Sequence, residues 1–468
     1  MFIKIWQLVT MELFESFQDP NKMRGLLQDH LPEFSNGNLT ISSCEIDYLL
    51  LKKSFKEDFQ HKSSLGVGYI LNVTEPSTQR HGQLKLYGKA YLGGRSERIF
   101  NNLPPVSLAT PLFGEPLVHL PDLGMIIWAF PNDPKLLHLP SLLDLKKVQE
   151  YLPFSNFFVS DLRSSKNLKV LSATVVRYKP ELRCTIRYDL EWETRPTPKP
   201  FAIYAKTFSD EQSKAIYERA EYFEEQSLNG SGKFIVAKPL GLHEGMNTVW
   251  QDAVSGRSLL ESINQTNFHD LLTAVAQGLA HFHKSHLAIS RKMSHQDRLA
   301  EARKRLAKIY QALPDRQDSL QSFLVRLEEW ATDFPPSPKT LIHGDFHMEQ
   351  LLISDGKIVL FDFDDLALGD PLQDVADFIA QLHFYEYDPE FIKHMSIAFW
   401  RSYADHVDWD VSPDRLDWHM RIQFIRKACR EFLQQQPRTT NRMEHFLTLA
   451  REGAFGEIHC SDELSLAN

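Results

Sequence analysis

A chain of 468 residues with 43% apolar content has room for roughly two to four domains with sizeable cores. Its 52 basic and 61 acidic residues give a net charge of −9, which argues against a nucleic-acid scaffold and leaves no polybasic patch for a membrane surface, so small molecules are the expected partners. No run approaches the roughly 18 apolar residues of a spanning helix, and Cys44, Cys184, Cys429 and Cys460 lie far apart without a CxxC spacing, which predicts a reduced, cytoplasmic setting.

The opening MFIKIWQLVTMELFESF is a poor signal peptide, because Glu12 and Glu15 interrupt its apolar run; Met11 is an alternative start. Met23, Leu26, Leu27 and Leu31 have helical spacing over 20–31, and Pro32 closes that segment. A β-rich region follows, with strands expected at 65–73 and 84–91 and a further pair, 117–120 and 125–130, around Pro121-Asp122-Leu123-Gly124. A short helix is expected over 141–152 and a polar turn at 164–167.

From 170 onward two alternating strands, 170–178 and 183–192, are joined by Lys179-Pro180-Glu181-Leu182. A third strand, 201–208, leads into an amphipathic helix over 210–226 that Ser209 or Asp210 can cap. This order echoes the first 150 residues. LKLYGKAYLGG (84–94) is like FAIYAKTFSDE (201–211), ATPLFGEP is like AKPLGLHE, and GMIIWAF is like MNTVWQDAV. Duplication and chance similarity of short β-meanders are both open at this point.

Past Asn267 the pattern turns to long helices: 268–285, 292–312, 316–333, and after 371 a run of four more at 372–384, 390–406, 413–434 and 440–454. His281, His283 and His286 close the first of these. An i, i+2 spacing on a helix points the first two rings apart, so a helix C-terminal charge role or simple exposure is expected rather than a metal pair.

The chemistry concentrates in Leu341–Asp377, LIHGDFHMEQLLISDGKIVLFDFDDLALGDPLQDVAD. Asp355-Gly356, between two apolar runs, is a two-residue hairpin signal, and a hairpin there folds the segment carrying Asp345 back beside Asp362. Phosphoryl transfer needs one carboxylate to position a hydroxyl and further oxygen ligands to hold magnesium against a triphosphate. Asp345 suits the first task, Gln350 and Asp362 the second. His347 is expected either to contact one of the aspartates or simply to pack, and His343 to anchor the loop backbone.

The order HGDxHxxQ, hairpin, FDFDD, GDPxxDVAxF resembles the catalytic core of the aminoglycoside phosphotransferase and choline kinase superfamily, with maltokinase-like features. The resemblance implies an α+β, protein-kinase-like two-lobed fold with a β-rich N-terminal extension, and ATP and Mg2+ as cofactors. It makes Asp345 the catalytic aspartate and Asp362 the metal-binding aspartate of the kinase DFG position. The superfamily usually has Asn where Gln350 stands, although the maltokinase-like branch also uses Gln. By the same resemblance Lys206 contacts the α- and β-phosphates, Glu218 or Glu221 pairs with it, and the backbone of Gln251, Asp252, Ala253 and Val254 carries adenine. The 179–182 turn takes the place where kinases cover the phosphates, without a glycine.

The domains expected are 1–150 as a cap or degenerate repeat of the nucleotide lobe, 151–256 as the nucleotide lobe, and 257–468 as a helical lobe. The function implied is transfer of the γ-phosphate of ATP to a hydroxyl of a small molecule: a sugar, aminoglycoside or amino alcohol. Asp364, Asp365 and Asp370 would furnish the acidic cleft a cationic acceptor needs. A nucleotide-binding pseudokinase is the alternative, on Gln350 and the glycine-free turn. A protein acceptor ranks last, since no APE motif follows Asp362.

Overall fold

The computed structural model describes residues 16–52, 64–91, 94–153, 168–192, 200–228, 234–434 and 439–453; the 164–167 turn, the first fifteen residues and Cys460 lie outside them. The class is α+β, with a β-rich N-terminal region and a helical C-terminal one. Contacts divide the chain into two compact units: Met1–Lys214 with Leu240–Asp252, and Ala215–Pro239 with Ala253–Asn468.

Two five-stranded sheets make up the first unit. In one the order is Thr40–Lys52, Ser64–Glu75, Arg80–Tyr91, Met125–Ala129, Leu117–Leu120; in the other it is Leu168–Lys179, Arg183–Trp192, Phe201–Phe208, Thr248–Asp252, Pro239–His243. Each is a three-strand meander, then a helix, then a hairpin whose second strand adds to the third. The helix is Arg95–Asn101 in the first case and Ser213–Leu228 in the second. Both hairpins turn through a short 3-10 segment closed by a left-handed residue, Gly124 (φ 58°) or Asn247 (φ 47°).

Alternation explains which faces are buried. Leu65, Val67, Tyr69, Leu71 and Val73 are at most 2% exposed and pack on Phe17, Met23 and Leu27, the last two from a helix, Pro20–His30, that Asp19 caps. In the second sheet Cys184, Ile186, Tyr188 and Leu190 do the same against Leu139, Leu142 and Val148. The single helix expected over 141–152 is instead two, Leu139–Leu143 and Leu145–Val148, because Asp144 turns outward and caps the second.

Thr40–Lys52, unmarked in the sequence reading, is the longest strand. It carries register shifts at Ile41/Ser43 and Ile46/Tyr48, and each shift moves the apolar residues to the other phase of the pleat, so no simple alternation survives. The matching edge strand of the second sheet shifts at Val170/Ser172 and Val175/Arg177. In the 179–182 turn, Pro180 precedes Glu181 at φ 61°, and Leu182 N–H bonds Lys179 O at 3.1 Å. That is the pattern of a type II turn. A left-handed conformation costs an L-residue about 1–2 kcal/mol, which glycine avoids.

In the second unit, the helix Leu372–Leu382 has all eleven residues buried, so its polar side chains require partners from neighbouring helices. Arg298 Nε donates to Gln373 Oε1 at 2.7 Å, and Lys427 Nζ donates to Gln381. A four-stranded sheet runs Arg257–Ser258, Leu351–Ser354, Lys357–Leu360, Phe234–Ile235, and a three-stranded one joins Lys292–Met293, Ala367–Gly369 and Thr340–Ile342. The expected helix at 292 therefore starts later, as His295–Ala312, with Ser294 and Asp297 forming a capping box. Among the described residues no helix is long and apolar enough to cross a membrane.

Candidate active site

Leu351–Ser354 pairs with Lys357–Leu360 through Asp355 and Gly356, both at positive φ (48° and 74°), the two-residue hairpin the sequence announces. Phe361 N–H closes it on Gln350 O at 3.0 Å. Gln350 and Asp362 thereby face each other, with Gln350 Nε2 3.4 Å from Asp362 Oδ2 and 3.5 Å from His347 Nε2. His347 Nε2 is 3.6 Å from Asp345 Oδ2. Four of the sequence-predicted residues, Asp345, His347, Gln350 and Asp362, thus form one contiguous polar chain. The Asp345 side chain is 42% exposed, whereas Gln350 is buried.

The loop bearing Asp345 is held by a residue to which the sequence reading gave no role. Asp374, in the first turn of Leu372–Leu382, accepts His343 N–H at 2.5 Å and Gly344 N–H at 2.8 Å, and its Oδ2 lies 3.1 Å from His283 Nε2. His283 is itself fixed by Tyr403 Oη at 2.7 Å. Exposure, one of the two outcomes expected of the closing histidines, holds for His286 but not for His283, which is 2% exposed. Its partners lie far along the chain, where helical spacing carries no information about them.

Burial pushes the Asp374 carboxyl up, but the hydrogen bonds and charge of His283 and the neighbouring His343 hold it below the ordinary carboxylate range. For Asp345, too, burial is opposed and outweighed by His347, Arg426 and His343, which hold it well below that range. It is therefore a carboxylate at neutral pH. Gly344 has φ 82°, and a Cβ there would fall 2.6 Å from Asp365 O, so the loop needs glycine at this point. His343 Nε2 donates to Phe361 O at 2.9 Å, anchoring the backbone as expected.

Aromatic packing links Asp362 to the helix before it in sequence. Phe363 stacks on Phe223 (4.8 Å, 25°), which stacks on Phe282 (5.2 Å, 25°). Arg219 Nη1 donates to Phe363 O (2.8 Å) and Asp364 O (3.1 Å). Arg219 lies between Glu218 and Glu221, the two glutamates proposed for Lys206; both are exposed, and Glu221 hydrogen-bonds Tyr217. Glu218 and Glu221 belong to the second unit and Lys206 to the first. Lys206 stands in Phe201–Phe208 opposite Val249 and Thr185, its Nζ 5.3 Å from the Phe208 ring centre. Gln251 and Asp252 pair with Tyr204 and Ile203 on the neighbouring strand, and the chain passes to the second unit at Ala253, ahead of Val254.

The acids considered for a cationic acceptor are already engaged. Asp365 pairs with Arg291 at 2.8 Å, and buried Asp370 lies 2.9 Å from Arg415 Nε, 3.1 Å from His295 Nε2 and 3.3 Å from His419 Nε2. His295, Asp370 and His419 have the donor set of a metal site. The Arg415 guanidinium already neutralises their carboxylate, and a cation there would face it directly. Burial raises the Asp370 pKa, but the histidine hydrogen bonds and Arg415 depress it far more. A depressed folded-state pKa means that the stabilisation is complete above about pH 4 and is lost as the pH falls below it. Asp370→Asn is therefore expected to flatten the acid side of a Tm-against-pH curve. Parallel curves for variant and wild type would remove Asp370 from the acid response.

Residues 206–410 match the family model described as "Phosphotransferase enzyme family". Solved structures to which the chain is similar include the AMP-bound complex of spectinomycin phosphotransferase APH(9)-Ia, at 13% identity over 61% of this chain and 92% of that one (TM-score 0.42). Aminoglycoside phosphotransferase APH(2'')-Ib with ADP matches at 13% identity over 62% and 95% (0.43), and the amicoumacin kinase hAmiN at 13% over 67% and 95% (0.44). No curated protein sequence matches the chain. The matched segment holds every candidate residue from Lys206 to Asp362.

Proposed function

We propose that the protein transfers the γ-phosphate of ATP to a hydroxyl group of a small molecule. The observation that carries this reading is the chain Asp345, His347, Gln350, Asp362: a half-exposed, ionised carboxylate at one end and a paired amide and carboxylate at the other. Asp345 Oδ2 would accept the hydrogen bond of the acceptor hydroxyl, orient its oxygen towards the γ-phosphorus and take its proton as the new P–O bond forms and the bond from that phosphorus to the β,γ-bridging oxygen breaks, releasing ADP. His347, beside Asp345, keeps that carboxylate ionised and fixes its direction. Lys206 would meet the α- and β-phosphates, and the backbone from Gln251 to Val254 the adenine.

The residues fit a magnesium site. Asp362 offers a carboxylate, and the Gln350 amide, whose nitrogen faces Asp362, offers its carbonyl oxygen instead when turned over, since amide N and O are nearly isosteric. Both are hard oxygen ligands of the kind magnesium takes together with water and phosphate. When bound, the ion neutralises charge on the transferring phosphoryl group.

Screening hydroxyl compounds for acceptor-dependent ADP release tests the reaction; no release with any acceptor class, despite nucleotide binding, would favour a pseudokinase. Asp362→Ala is expected to abolish magnesium-dependent nucleotide binding, while Gln350→Asn retains measurable turnover, because it keeps the carbonyl oxygen on a shorter arm. Titration of magnesium against a bound ATP analogue decides it: equal affinity in wild type and Asp362→Ala removes the metal assignment.

A further inference from the structure

The two sheets of the first unit agree below the level of strand order. Lys89 stands opposite Ile126, the second residue of its neighbouring strand, and Lys206 opposite Val249, likewise the second. Two residues after each lysine, the backbone N–H bonds the carbonyl of the left-handed residue that closes the hairpin: Tyr91 to Gly124 at 2.9 Å, Phe208 to Asn247 at 3.0 Å. By this correspondence Leu117–Leu120 matches Pro239–His243, and the sequence pairing of ATPLFGEP with AKPLGLHE is five residues out of register. Lys89 therefore occupies the place in its sheet that Lys206 occupies in the nucleotide sheet, but its surroundings differ. Its Nζ is 2.5 Å from Glu181 Oε1, with side-chain exposures of 13% and 3%.

Glu181 is the left-handed residue of the turn between Leu168–Lys179 and Arg183–Trp192. That turn is gripped a second time, by Asp133. Its Oδ2 accepts Glu181 N–H at 3.0 Å and Tyr178 Oη–H at 2.7 Å, while its Oδ1 accepts Lys135 N–H and Leu136 N–H. Kinases make the corresponding turn pliable with glycines and let phosphate order it. Here a non-glycine residue adopts a glycine conformation because its side chain and its amide are both held from outside the sheet.

We propose that Lys89 is a positioning residue for nucleotide binding, and that the first sheet, a second copy of the nucleotide sheet, uses its equivalent of the phosphate lysine to pre-set the glycine-free turn at Glu181. The inference rests on the kinase reading for what the turn covers. A pre-set turn pays no ordering cost when the triphosphate arrives, so disrupting it weakens nucleotide binding while leaving the acceptor's KM and the chemical step in place. Lys89→Met removes the cation 2.5 Å from the buried Glu181 carboxylate. Lys89→Met with Glu181→Gly removes that carboxylate and supplies a residue at ease with positive φ.

The experiment compares wild type, Lys89→Met, Glu181→Gly and the double variant by Tm, by affinity for a fluorescent ATP analogue with magnesium, and by hydrogen exchange across residues 178–183. Lys89→Met is expected to bind the analogue about tenfold more weakly and to exchange faster across the turn, with the double variant recovering most of the affinity. Unchanged exchange and affinity in folded Lys89→Met overturns the proposal. So does a loss that Glu181→Gly fails to rescue, which would mean that Lys89 itself touches nucleotide. If Lys89→Met does not fold, the double variant carries the test and must bind within about threefold of wild type. Failure of wild type to bind the analogue counts against the kinase reading instead, and the exchange data then decide the clamp by themselves.

Discussion

Asp345→Asn is expected to lower turnover by about two to four powers of ten, the range for loss of a positioned base, while nucleotide binding stays close to wild type. The carboxylate is the half-exposed end of the polar chain, and His347 stands between it and the Gln350 amide. Asparagine keeps its shape, and the His343 and Gly344 amides that hold the loop bond Asp374 instead. What disappears is the negative charge that His347, Arg426 and His343 stabilise, and with it the proton acceptor that the proposed reaction requires. Steady-state rates with the true acceptor, set beside an ATP-analogue titration, separate the two effects. Near-wild-type turnover would place the catalytic base elsewhere.

Asp374→Ala is expected to cost about 3–5 kcal/mol, because it removes a buried carboxylate and leaves the His283 ring and two backbone amides without their shared acceptor. His283 Nε2, His343 N–H and Gly344 N–H all converge on this one carboxylate. Turnover should fall along with stability, since those amides belong to the residues just before Asp345. Urea unfolding monitored together with turnover checks this. A variant of wild-type stability and rate would show that the loop is held by His343 Nε2 and Gly344's close fit under Asp365 alone.

The parts of the site that were legible in the sequence are those built from local signals. Asp355-Gly356 fixes a hairpin by turn chemistry, and the hairpin fixes which residue faces Asp362, so the meeting of Gln350 with Asp362 follows from the consecutive residues 350–362. Strand 183–192 was equally plain, because its alternation is unbroken. What stayed hidden depends on distant partners or on broken periodicity. Asp374 reads as one more acid in a helix until His283 and Tyr403 are seen beside it. Arg219 reads as a solvated helix charge until its guanidinium is found on the Phe363 and Asp364 carbonyls. Thr40–Lys52 disappears because its two register shifts scramble the pleat.

The way the chain passes between its units limits how it can be cut. Residues 215–239 belong to the second unit although sequence from the first flanks them on both sides. A fragment beginning at residue 253 would contain every helix from Phe268 onward yet lack Phe234, whose ring lies so close to Gly278 that a Cβ there would fall 2.3 Å from it. It would also expose the edge of Lys357–Leu360 where Phe234–Ile235 pairs in parallel, and an open strand edge of that kind recruits other chains. During synthesis the same segment leaves the ribosome long before Ile358 and Val359 exist to receive it. Split reporters, domain swaps and truncated expression fragments of this protein should therefore be cut within a surface loop of one unit, with the 215–239 segment kept on the same polypeptide as the helices it completes.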